Sequence, residues 1–106
     1  MRGFRIDVFI VLVLLGKNDN FKNSYSLRRV LHWKFGILSD MELKEKMINN
    51  GLIIKDNSGN NNIDYNITSL GITYLKQNFD RGKRSIYDSF PELNEFLDAL
   101  FDKFVI

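Results

Sequence analysis

In 106 residues the chain has no cysteine, one proline, one histidine and one tryptophan. The lack of cysteine excludes disulfide staples, thiolate metal ligands and a cysteine nucleophile, and the single imidazole, His32, does not make a structural zinc site. A membrane-length apolar run is also missing: VFIVLVLL, Val8 to Leu15, has eight residues, where a spanning helix needs about 20. Arg2 and Arg5 ahead of this run resemble the start of an export signal, but Asp7 abuts it, and Leu14 and Gly16 do not form the small-x-small pair of a cleavage site. A buried segment in a cytoplasmic protein, with no membrane partner, is therefore expected.

What is present suits one small globular unit. The sequence is 44% hydrophobic and 26% charged, and nine Phe, four Tyr and one Trp supply the bulk of a core. Residues 1 to 60 hold ten Lys or Arg against six Asp or Glu, and residues 61 to 106 hold five against seven. A basic front and an acidic back permit an anionic partner on the front without demanding one.

Gly16 and the polar run Lys17-Asn18-Asp19-Asn20 end the first apolar segment, so residues 4 to 15 read as a helix buried on most of its circumference, with a strand as the alternative favoured by Val and Ile. A second helix is predicted from Leu27 to Phe35, capped by Ser24 or Ser26, with Leu27, Val30, Leu31 and Phe35 inward. Ser39-Asp40-Met41-Glu42 reads as a capping box opening a third helix with Leu43, Met47 and Ile48 inward, closed by Asn49-Asn50-Gly51.

The period then changes. Leu52 to Lys55 and the alternation Ile63, Tyr65, Ile67 predict two strands joined by the turn-forming run from Asp56 to Asn62. Thr68 or Ser69 caps a fourth helix containing Leu70, Ile72, Tyr74, Leu75 and Phe79, with Gly82 as an interruption and Arg81, Lys83 and Arg84 on an exposed linker. Ser89-Phe90-Pro91-Glu92 reads as a second capping box, opening a last helix with Leu93, Phe96, Leu97, Leu100, Phe101 and Phe104 at helical spacing.

This order, with GLI at residues 51 to 53 and YNIT from Tyr65 followed by Gly71, Tyr74 and Leu75, resembles the winged helix-turn-helix domains of PadR-like and MarR-like transcriptional regulators. The fold class expected is α+β, mostly α, with a two-stranded wing and a C-terminal amphipathic helix. Residues 1 to 82 would form the winged domain, and residues 83 to 106 a linker and a dimerisation helix of the same compact unit. The resemblance implies a homodimer on double-stranded DNA. The third helix would enter the major groove with Met41, Lys44, Glu45, Lys46 and Asn49, where Asn pairs with adenine and Lys reaches guanine or phosphate. Lys22, Arg28, Arg29, Lys34 and Lys55 would contact phosphates, and Asn57, Ser58, Asn60 and Asn61 would form an uncharged wing tip. Leu93, Phe96, Leu97, Leu100, Phe101 and Phe104 would pair the subunits.

Two features oppose that reading. Asp40, Glu42 and Glu45 crowd the reading helix, and the wing tip has no Lys or Arg. Both suit an alternative, a winged domain used as a protein-interaction module without direct DNA contact. Trp33 is expected to pack against the first or last helix, and His32 to make a structural hydrogen bond. GKNDN at 16 to 20 lacks the length and terminal Lys-Ser/Thr of a nucleotide loop. With no histidine pair and every serine explained by turns or caps, no enzymatic activity, cofactor or metal is expected, and nothing requires a sensing ligand.

Overall fold

Eight consecutive apolar residues need cover on every side, and the rest of the chain supplies it. The computed structural model describes residues 3 to 17, 19 to 57, 63 to 102 and 104. Its elements are α1 (Ile6–Lys17), α2 (Ser24–Trp33), α3 (Asp40–Asn49), β1 (Ile53–Asp56), β2 (Asp64–Ile67), α4 (Ser69–Gln77), α5 (Phe79–Ser89) and α6 (Asn94–Phe101). Val8 to Leu15 are each at most 3% exposed, because α1 contacts all five other helices and β2. A helix apolar all round is stable only as such a central helix.

α2 begins at Ser24, three residues before the predicted start, and its cap is neither serine. The Asn23 side-chain oxygen accepts from the Tyr25 and Ser26 amides at 3.0 and 3.3 Å. The reason lies in the sheet: Asn23 bridges Asp64, the Tyr65 amide donates to the Lys22 carbonyl at 2.8 Å, and the Ser24 amide donates to Ile63 at 2.8 Å. This short extended stretch docks on β2 and sets where the helix can start.

α3 follows after a short turn and closes as expected. Gly51, at φ 75°, turns the chain so that its amide donates to Ile48 and the Leu52 amide to Met47, both at 3.0 Å. This pair of hydrogen bonds satisfies terminal helix carbonyls and needs a left-handed backbone, which glycine adopts without a side-chain clash. The predicted capping box does not form. Ser39 is the N-cap, but its side chain makes no capping bond; with ψ at 46° its backbone is off the extended conformation that aims a cap oxygen at the first turn.

β1 and β2 pair antiparallel, Ile53 opposite Ile67 and Lys55 opposite Tyr65, and bury Ile53 and Tyr65 against the helices. Thr68 locks the hairpin to the next helix: its hydroxyl lies 2.6 Å from the Gly51 carbonyl and accepts from the Gly71 amide at 3.0 Å. The break after α4 falls at Asn78, not at Gly82. Gly82 lies within α5 and is buried, because the Phe9 ring occupies the space a Cβ would need. The expected boundary at residue 82 therefore falls inside a helix, and Arg81, Lys83 and Arg84 are helical, not linker. Ser89 ends α5, and Pro91–Leu93 form a 3-10 turn with no side-chain cap, so the second capping box also does not form.

Three helices, an antiparallel hairpin and further helices give a mostly helical α+β fold with the arrangement of a winged helix-turn-helix core. Among the described residues, no helix is long and apolar enough to cross a membrane.

Candidate nucleic-acid interface

α3 turns Asp40, Leu43, Lys44 and Met47 inward, the i, i+3, i+4, i+7 stripe of an amphipathic helix. Lys44 therefore cannot face a groove, as the sequence reading had it: it is 1% exposed. Its ammonium lies 3.0 Å from Asp40 Oδ2 and 5.1 Å from the centre of the Tyr65 ring. The other Asp40 oxygen is 2.7 Å from His32 Nε2 on α2. Burial opposes the Asp40 charge, but hydrogen bonds from His32 and Lys44, with the charges of both, outweigh it and hold the carboxyl below the usual aspartate range. The cluster ties α2 to α3, the structural role expected of His32.

The other α3 positions expected to read DNA are exposed: Met41, Glu45, Lys46 and Asn49. Met41, Glu45 and Asn49 form one row at i, i+4, i+8, with Glu42 and Lys46 on the adjoining row. Two carboxylates against one ammonium make this face weakly acidic. Cationic groups lie on and just beyond α2, where Arg28, Arg29 and the C-cap Lys34 are exposed. Lys34 Nζ is 5.4 Å from the Phe96 ring centre. Lys55 is exposed on β1, and Lys22 is partly covered in the segment paired with β2. Asn57 is exposed at the end of the hairpin; Ser58, Asn60 and Asn61 lie outside the described residues.

Trp33 departs most from expectation. It does not pack against α1 or α6; it stands 77% exposed on the outer face of α2, with Tyr25 66% exposed two turns before it. Between them the Arg29 guanidinium lies 4.8 Å from the Trp33 ring centre and 5.7 Å from that of Tyr25. The signal was present in the sequence: Tyr25, Arg29 and Trp33 are spaced i, i+4, i+8 on the side of α2 opposite Leu27 and Leu31.

The terminal apolar stripe is also placed differently. Leu97, Leu100 and Phe101 are buried within the chain itself, and Leu93, Phe96 and Phe104 are partly buried against the same core. Phe79 stacks on Phe104 at 5.6 Å and meets Phe101 edge-on at 5.8 Å. Phe35 contacts Phe90 and Phe96 at 5.1 and 6.0 Å. Three of the six residues expected at the dimer seam, Leu97, Leu100 and Phe101, are therefore intrachain core, where α5 and α6 cover α1.

No family model, curated protein or solved structure matches this chain.

Proposed function

We propose that this chain is a winged helix-turn-helix regulator of transcription that binds double-stranded DNA, with α3 against the major groove and α2 along the phosphates. The observation that carries this reading is the exposed α3 row of Met41, Glu45 and Asn49, with Lys46 beside it, on a core that also exposes Arg28 and Arg29 on α2. Asn49 and Lys46 supply hydrogen bonds to base edges, and the arginines supply the salt-dependent attraction to the backbone. Two copies on a palindromic site would set two α3 helices on successive turns and multiply a weak single-domain affinity. With Leu97, Leu100 and Phe101 committed to the core, such a pair uses another surface.

A second reading, a winged protein-interaction module, is favoured by the withdrawal of Lys44 from the surface, which leaves Glu42 and Glu45 facing outward. Anisotropy of labelled duplex DNA across a salt series separates the two. A regulator binds, weakens as salt rises, and loses about one unit of salt slope for each phosphate contact removed in Arg28→Gln or Arg29→Gln. Lys46→Ala and Asn49→Ala weaken it further. A folded chain that binds no duplex at low salt gives the second reading.

A further inference from the structure

A tryptophan 77% exposed in a chain with a single one is an unusual use of the largest side chain. Trp33 borders two open concavities of about 330 and 350 Å³ on opposite flanks of α2. Arg29 lines both; Lys34 lines the first and Arg28 the second. Among the described side chains no carboxylate lines either, and Asp40, the partner of the lining residue His32, is engaged by His32 and Lys44. The Arg29 guanidinium lies over both rings, 5.7 Å from the Tyr25 centre and 4.8 Å from the Trp33 centre, so charge and aromatic surface are already side by side on this face.

We infer that the Tyr25–Arg29–Trp33 face of α2 is a stacking site for unpaired nucleotides of single-stranded DNA. A base seats on Trp33, and flanking phosphates take the charge of Arg28, Arg29 and Lys34. Two properties of the face select this occupant. Among the described residues its lining is cationic with no carboxylate, which fits a polyanion. Its apolar part is flat, aromatic and outward-facing, which fits a π-face; in a duplex those faces are covered by neighbouring pairs and only edges and backbone are offered. An acidic peptide would match the charge but would leave the exposed ring without a planar partner. The site shares Arg28 and Arg29 with the phosphate contacts proposed above but lies apart from the α3 row, and the inference does not depend on duplex binding there.

Trp33 is its own reporter. The full chain is titrated with a short oligothymidylate, a blunt duplex of the same length and a polyglutamate peptide, following tryptophan fluorescence. Oligothymidylate is expected to quench Trp33 in a salt-sensitive manner, with the other two quenching far less. By anisotropy of the labelled oligonucleotide, Trp33→Leu binds about tenfold more weakly or worse, Trp33→Phe retains most of the affinity, and Arg29→Gln weakens binding and flattens its salt dependence. Both positions are exposed, and circular dichroism checks that the variants fold. Unchanged fluorescence with oligothymidylate, wild-type affinity in Trp33→Leu, or equal quenching by duplex or polyglutamate overturns the inference. Duplex binding with no quenching by oligothymidylate removes this site and leaves the proposed function standing; quenching by oligothymidylate with no duplex affinity does the reverse.

Discussion

Lys44 and Asp40 form an ion pair of 3.0 Å between two side chains that are 2% and 3% exposed. Such a pair holds because each charge is the other's partner; removing one leaves the second buried and uncompensated. Asp40→Asn is therefore expected to destabilise the fold by about 3–5 kcal/mol, and Lys44→Ala by a similar amount. Denaturant unfolding measures both. Lys44→Ala should leave duplex affinity per folded molecule unchanged while Lys46→Ala lowers it, although the two lysines are only two residues apart.

The same carboxyl sets an acid limit. The Asp40 pKa is lower folded than unfolded, so between the two values the unfolded chain binds more protons, and stability rises with pH. Its contribution is fully present above the ordinary aspartate pKa, about 4, and is lost as pH falls through the depressed folded value. Urea midpoints measured from neutral pH downward should fall below about pH 4. Asp40→Asn should flatten that limb, and an unaltered slope in the variant would place the acid sensitivity elsewhere.

The fold was largely legible because each cue had one physical meaning. Gly51 after a helical run, alternation at Ile63, Tyr65 and Ile67, and Thr68 before Gly71 gave α3, the hairpin and α4 their positions. The departures at Lys44 and Trp33 share a cause: place on the helix, and not polarity, sets which side a residue faces. Asp40 and Lys44 fall on the inward stripe with Leu43 and Met47, spaced as an i,i+4 ion pair, and were placed outside because they are charged. Trp33 was placed inside because it is aromatic, although it lies opposite Leu27 and Leu31. The Asn23 cap was illegible, since it depends on a bridge to Asp64 far along the chain.

Gly82 tests close packing between α1 and α5. A methyl group there would enter the space of the Phe9 ring, which is fully buried and has little room to yield. Gly82→Ala gains helix propensity of about 1 kcal/mol but forces apart a filled core, at a cost of about 1–3 kcal/mol. The net expectation is lower stability, against the usual direction for glycine to alanine within a helix. Thermal unfolding reads the sign. Gly82→Ala combined with Phe9→Leu should lose less than the sum of the two single changes, since the smaller side chain opens the space the methyl needs.

The role of α6 can be decided in one series. If Leu97 is core, as its full burial requires, Leu97→Ala removes packed atoms and leaves a cavity, destabilising the single chain by about 2–5 kcal/mol. The midpoint of urea unfolding for both proteins should then be independent of protein concentration. A helix whose apolar stripe paired two subunits would behave differently: the wild-type midpoint would rise with concentration by mass action, and Leu97→Ala would abolish that rise. Phe96, half-covered at the edge of the stripe, should tolerate Phe96→Leu with a smaller loss than Leu97→Ala, because its ring fills no enclosed space that a shorter side chain would leave empty. Concentration-independent midpoints with a large Leu97 effect would make α6 a structural cover for α1, and any pairing of two copies would then form only on a shared DNA site.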